Sequence, residues 1–357
     1  MQNRGVTAVS NAQLAELLAN SAEEAEGMRQ KALRRAARSA FLWPEECVDL
    51  LAAGRSLTEL HSVGPFVAQQ LQGWIEQPPA PASAPNPLRH DFLTMAQARA
   101  ILARDPAWSP CLRGDLHMHT TWSDGSGSVL EMAQAGMEAG HAYIAIADHT
   151  KGLKIAGGID EAQLAAQGEE IAPVNEQIGD GGITVLRSAE LNLNPQGEGD
   201  MEAASLAQLD LVLGSFHSAL RKTEDQTERY LAALRNPTIQ ILGHPRGRVY
   251  NFRLGLTADW PHVFAEAARL DKALEINCYP DRQDLNVDLL ELARAAGVRI
   301  SLGTDSHHAS QLGFIELGLA AALAAGITPD RMVNFMPLPE LKAWVAKLRA
   351  QSERPAR

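Results

Sequence analysis

The chain has 357 residues and a formal net charge of −11, enough for one large domain and a small one, with an acidic balance that confines any nucleic-acid role to local basic patches. No apolar run approaches the length of a membrane span, and the N-terminus lacks the charged, apolar and small-residue regions of a signal peptide. Cys47, Cys111 and Cys278 are dispersed and unpatterned, which points away from a disulfide framework or a thiolate metal site and towards the cytoplasm.

Residues 1–77 read as an all-helical domain. Asn11 to Phe41 is rich in Ala, Leu, Glu and Arg, with few helix breakers. Arg34, Arg35 and Arg38 crowd its C-terminal half. There they suit the helix dipole and form either a solvated basic face or a surface for a phosphate backbone. The next stretch, Leu57 to Leu71, places apolar residues at helical spacing on both sides of Ser62-Val63-Gly64-Pro65. It resembles a helix-hairpin-helix, whose turn offers backbone N–H groups at a helix N-terminus to DNA phosphate. Ser62 stands where that motif usually has glycine, and a plain helical hairpin is the alternative. Ser62, Gly64, Arg34, Arg35 and Arg38 are the candidate DNA contacts.

Residues 78–112 form a connection: a proline-rich stretch to residue 88, which favours extended backbone, and a helix from Met95 to Ala103. From 113 to 350 strand and helix alternate. The strand-like segments are Asp115–His119, Tyr143–His149, Ile183–Glu190, Leu211–His217, Ile239–His244, Ala273–Cys278 and Arg299–His307. Helical patterns cover Val129–Ala139, Glu161–Gln177, Thr223–Leu234, Ala258–Leu270, Val287–Ala296 and Ser310–Ala325. This alternation implies βαβ units and a parallel sheet. The expected fold is α/β, a seven-stranded (β/α)7 TIM-like barrel preceded by the small all-α domain. Barrels of this kind assemble their sites at the C-terminal ends of the strands.

Those ends carry the chemistry. His117, His119, His149, His217, His244 and His307, six of the 11 histidines, close strands, together with Glu190 and Asp305 and the nearby Asp124. One histidine at a strand end is usually incidental. Nine polar groups converging on one rim are costly to pack without cations. Imidazole and carboxylate without thiolate suit Zn²⁺, Mn²⁺ or Fe²⁺, and nine donors suffice for two or three ions sharing a carboxylate.

His117-Met118-His119 with Ser123-Asp124-Gly125, Asp148-His149, Glu190, Ser215-Phe216-His217-Ser218, Gly243-His244-Pro245 and Thr304-Asp305-Ser306-His307 resemble, in order, the motifs of the PHP (polymerase and histidinol phosphatase) family over roughly residues 113–345. Asp148 to Lys154, His244-Pro245-Arg246-Gly247-Arg248 and Leu274-Glu275-Ile276-Asn277 bring the likeness closest to the C-terminal PHP module of bacterial family X DNA polymerases. The N-terminal hairpin resembles the small domain of those enzymes. No palm or thumb lies between the two parts, so no polymerase activity is expected. Asn192 also departs from the aspartate that such modules tend to have.

The resemblance implies one metal held by His117, His119, Glu190 and Asp305, a second by Glu190, His217 and His244, and a third by Asp124, His149 and His307. Glu190, Asp305 and His217 would be catalytic, with a metal-activated water as nucleophile. Lys151, Arg246, Arg248, Arg253 and Arg282 follow strand ends and are candidate phosphate ligands, Arg246 and Arg248 foremost. Asn277 would orient a ligand or merely cap its strand. The leading expectation is a metal-dependent phosphoesterase that trims DNA 3′ ends in repair. A phosphatase for a small metabolite, such as histidinol phosphate or a nucleotide, is the alternative. A non-catalytic DNA-binding module is the third.

Overall fold

Helix-capping patterns recur along the chain and mark where its helices begin. Ser10 with Gln13, Thr94 with Gln97, Ser128 with Glu131 and Asp160 with Gln163 each form a reciprocal capping box. Each box satisfies two otherwise orphaned backbone donors at a helix start. A computed structural model describes residues 9–79, 86–179 and 181–352. It divides into two compact units, Met1–Ala103 and Arg104–Arg357.

In the first unit the long helical pattern is two helices, Asn11–Glu24 and Gly27–Ser39, followed by a 3₁₀ turn, Ala40–Leu42. Gly27 at φ 60° lets the chain restart between them. Residues 86–103 of the expected connection belong to this unit, whereas residues 104–112 fall in the second. Arg89 is buried and donates to Glu16, Glu23 and Asn20 of the first helix. Helix Met95–Leu102 also packs here. An ion-paired, desolvated arginine outweighs the proline-rich composition of its surroundings. The core of the proline run, residues 80–85, lies outside the described residues.

The second unit is α/β with parallel strands: β1 (Gly114–Met118), β2 (Tyr143–Ile146), β3 (Thr184–Arg187), β4 (Glu190–Leu193), β5 (Leu213–Phe216), β6 (Ile241–Leu242), β7 (Ala273–Asn277) and β8 (Arg299–Gly303). They form two sheets, β1-β2-β3 and β4-β5-β6-β7-β8, not one ring of seven. The extra strand arises at Ser188-Ala189, where the segment read as continuous breaks. β3 then pairs with β2 while β4 pairs with β5. Single bridges, Met118 with Ser306 and His149 with Glu190, join the sheets at both seams.

Strand alternation sorts side chains between two cores. Leu116, Tyr143, Ala145, Leu186, Leu213, Ile241 and Ala273 face one interior shared by both sheets, closed by Leu341, Trp344, Val345 and Leu348 of the last helix, Leu338–Ser352. Ile144, Ile146 and Val185 face outward and bury Val129, Met132, Ile171 and Val174 of two flanking helices. Each fully buried aliphatic side chain contributes roughly 1.5–3 kcal/mol. With the interior plugged by the last helix, the C-terminal strand ends are the rim on which polar side chains gather.

Candidate metal centre

His117 and His119 are two residues apart at the end of β1, so a strand places both on one face. Asp305 and His307 repeat that spacing just after β8. His149 follows β2, Glu190 opens β4, and His217 and His244 follow β5 and β6. Asp124 comes from the loop after β1. The structure brings all nine together.

Glu190 lies at the centre. Its carboxylate is 2.6 Å from His149 Nδ1, 2.7 Å from His244 Nε2, 3.1 Å from His217 Nε2, 3.6 Å from His117 Nε2 and 3.8 Å from His119 Nε2. His119 Nε2 is 3.0 Å from Asp305 Oδ1, and Asp124 Oδ1 is 3.3 Å from His307 Nε2 and 3.6 Å from His149 Nε2. Three sets offer donor atoms within 4.8 Å of one another: His117, His119 and Asp305; His149, Glu190 and His217; His119, Asp124, His149 and His307. His149 thus stands in two sets. His244 reaches Glu190 but belongs to none, unlike the grouping the family resemblance implied.

The donor atoms themselves argue for cations. His117 Nε2, His119 Nδ1, His149 Nδ1, Glu190 Oε2, His217 Nε2 and His244 Nδ1 are buried and find no hydrogen-bond partner. Leaving so many polar atoms unsatisfied in one place costs about 1–3 kcal/mol each unless something else binds them. Nitrogen and oxygen donors without sulfur fit Zn²⁺, Mn²⁺ or Fe²⁺.

Electrostatics keeps the acids ionised. Burial would push the Glu190 carboxyl up, but His217, His149 and His117 outweigh it and hold it well below its ordinary range. Asp305 is likewise buried and held low by His117 and His119. Burial, then His149, presses His119 down to about 3, which leaves its lone pairs available. Burial opposes a charge on His307, but Asp124 and Asp305 raise it to about 9.

Surrounding residues fix the rings. Asn192 Oδ1 is 3.1 Å from His217 Nδ1, so it can accept that N–H and turn Nε2 towards Glu190. Asn277 donates to Asp305 Oδ2 at 2.9 Å. Asp148, completely buried, accepts from the Thr120 backbone and hydroxyl, Ser123 and Gln167, which anchors the loop bearing Asp124. Sequence reasoning missed Glu275. This buried side chain on β7 lies 2.7 Å from His117 Nδ1 and accepts the His244 backbone N–H at 2.6 Å. Gly303 lets it approach, since a Cβ there would collide with both Glu275 and His117. A carboxylate in mid-strand, flanked by Leu274 and Ile276, was the signal. His244 and Asp305 have φ of 21° and 55°, a conformation that costs non-glycine residues energy and that concentrates at functional sites.

The candidate phosphate ligands are more dispersed in role. Lys151 pairs with Glu161 at 2.6 Å. Arg248 is buried and donates to the Arg282 carbonyl, so it braces the loops rather than offering a fork to solvent. Arg246 donates to Leu254 O and Asn286 Oδ1, and Arg253 donates to Gly247 O. Arg282 lies 3.6 Å from Asp281.

In the first unit, Leu57–Glu59 is a single 3₁₀ turn rather than a full helix, and Gly64 precedes helix Pro65–Glu76. Ser62 takes φ 65°, the glycine-like conformation expected of the residue it replaces. Ser62, Gly64 and Arg35 line one cavity of about 470 Å³, whereas Arg34 and Arg38 are exposed on helix Gly27–Ser39 without lining it. Among the described residues, no helix is long and apolar enough to cross a membrane.

Several known proteins are similar to this chain. A DNA polymerase/3′-5′ exonuclease PolX from Bacillus subtilis (strain 168) is 33% identical over 66% of this chain, which spans only 41% of that protein's length. A probable phosphatase from Shewanella sediminis is 31% identical over 62% of this chain and 89% of its own. Among solved structures, a histidinol phosphate phosphatase from Lactococcus lactis, complexed with zinc, L-histidinol and phosphate, aligns with a TM-score of 0.43 at 16% identity, covering 68% of this chain and 94% of that one. Residues 115–279 match the PHP domain, and with a phosphatase relative covered almost end to end, the chain belongs to the PHP domain family.

Proposed function

We propose that this protein is a metal-dependent phosphoesterase that hydrolyses phosphodiester bonds at the 3′ ends of DNA, releasing nucleotides in the 3′→5′ direction. One observation carries the hydrolase reading: nine imidazole and carboxylate side chains, Glu190 at their centre, gather where the strands end, with several buried donor atoms unpartnered. The two sheets act as halves of one distorted barrel whose rim holds two or three ions of Zn, Mn or Fe. His117, His119, Asp305 and Glu190 hold one. Glu190, His149, His217 and His244 hold a second. Asp124 and His307, with His119 and His149 at their boundary, provide for a third. When bound, such cations lower the pKa of a water and offset charge on the phosphoryl oxygens.

The chain's own residues do the rest. Glu190 and Asp305 remain anionic and draw cations to the rim. Glu275 and Asn192 fix the His117 and His217 rings. Arg246, Arg253 and Arg282, on loops after β6 and β7, supply positive charge for the phosphates of the substrate. Support for DNA over other phosphoesters comes from the likeness to PolX and from the hairpin of the first unit, where Ser62, Gly64 and Arg35 form an anion-compatible hollow. The second reading, a small-metabolite phosphatase, draws on the probable phosphatases that this chain matches over most of their length.

Incubation with Mn²⁺ and a 5′-labelled oligonucleotide should give a descending ladder that chelator abolishes and that Asp305→Asn slows by roughly two to three orders of magnitude. A ladder equally strong in that variant would refute the site. Rapid turnover of one soluble monoester with intact DNA would replace the first reading with the second.

A further inference from the structure

Phe252 is the exposed tip of a tightly pinned turn, with 57% of its surface open to solvent. Val249 and Arg253 exchange both backbone hydrogen bonds at 2.9 Å beneath it, and Asn251 takes φ 53° to close the turn. The base of the turn is fixed: Tyr250 N donates to Asp281 O, Arg248 to Arg282 O, and Arg253 to Gly247 O. A single exposed phenylalanine would need no explanation. This one carries the Arg221 guanidinium over its ring, 4.4 Å from the centroid.

Arg221 belongs to the loop after His217, while Phe252 and Arg253 belong to the loop after His244. Parallel pairing of β5 with β6 places those loops side by side on the rim that bears the metal centre. Leu220 closes against Gly247, and Arg229 holds the Ser218 carbonyl at 2.8 Å while packing over Phe216. Burial and the charges of Arg282 and Arg221 press on Arg253, opposed in part by Asp284. Among the described residues neither Arg221 nor Arg253 has a carboxylate within ion-pair reach. In a protein of net charge −11, like charges kept together beside a flat, open ring fit a ligand that brings an anion and a π-face together.

We propose that Phe252 and Arg221 form a stacking platform for a base of a single-stranded nucleic acid, whose adjoining phosphate lies on Arg253 and Arg282 while the strand's end reaches the metal rim. The platform makes Phe252 and Arg221 specificity-determining residues, and it rests on the phosphoesterase reading above. Base–aromatic stacking tolerates any base, so the platform selects strand over metabolite without selecting sequence.

The test uses the full-length protein and two readouts. Hydrolysis is followed on a short thymidine oligonucleotide and on p-nitrophenyl phosphate, and binding of the labelled oligonucleotide is followed by anisotropy with Ca²⁺ in place of Mn²⁺. Phe252→Ala should raise KM and weaken oligonucleotide binding about tenfold, the size of one lost stack, with kcat little changed. Phe252→Trp should restore both, and Arg221→Ala should weaken binding by a smaller factor. Turnover of p-nitrophenyl phosphate should not follow the series. Unchanged oligonucleotide binding in Phe252→Ala, or equal losses on both substrates, overturns the platform. Phe252-dependent binding without any strand cleavage upholds the platform and overturns the nuclease reading instead.

Discussion

Glu275 ties two metal-site residues together through one side chain. One oxygen faces His117 Nδ1 and the other accepts the His244 amide. With Nδ1–H held there, Nε2 of His117 keeps its lone pair for the centre, the usual way a carboxylate selects an imidazole tautomer. Glu275→Ala should therefore lower metal affinity about 10–100-fold without altering the ligand set. Competition against a chelating dye measures that, and excess Mn²⁺ should recover activity; unaltered affinity would show that Glu275 only packs. His117 was legible because strand alternation pairs it with His119. Glu275 was not, because its partner is 158 residues away and only tertiary closure makes them neighbours. Arg248 shows the reverse. Its position after a ligand strand suggested phosphate binding, and burial against the Arg282 carbonyl gives it a bracing role.

At the level of elements, helix positions followed from composition and apolar periodicity, and Val287–Ala296 matches its sequence reading to the residue. The strand count did not. Ile183 to Glu190 is an unbroken pattern in sequence, but Ser188 N bonds back to Ile146 O while Glu190 N turns to Ala147 and Asp148. The segment therefore serves both sheets. Ser62 is another local conflict: a side chain held at φ 65° costs about 1 kcal/mol relative to glycine. Ser62→Gly should raise the stability of the first unit by about that amount, read as a higher urea midpoint with an unchanged slope. A lowered midpoint would mean that the contact between Ser62 Oγ and His61 Nδ1, at 3.1 Å, outweighs the backbone relief.

For the whole molecule, pH should act through a group far from the metal rim. Lys272, the residue before β7, is buried and donates to the Asn236 carbonyl, and burial pulls its pKa down to about 7. The unfolded chain holds that proton up to pH ~10.4, so between these values the unfolded state binds more protons and stability rises with pH. Lys272→Met should stabilise the protein most at and below neutral pH and flatten that rise, as thermal midpoints across pH 6–10 would record. A parallel shift at every pH would place the effect in packing alone. Chelator should separately lower the thermal midpoint of the wild type, since ligands that bind only the folded state stabilise it by mass action.

By itself the sequence determined the α/β class, the helical first domain and the nine polar residues at strand ends, because periodicity and residue chemistry are local properties. Tertiary structure decided what no local pattern carries: the division into two sheets, the shared position of His149 between donor sets, the buried carboxylate behind His117, and the loops that set Phe252 beside Arg221. Each of these depends on segments far apart in the chain approaching to within a few ångströms, and that proximity is fixed by packing and strand pairing rather than by any residue's own preference.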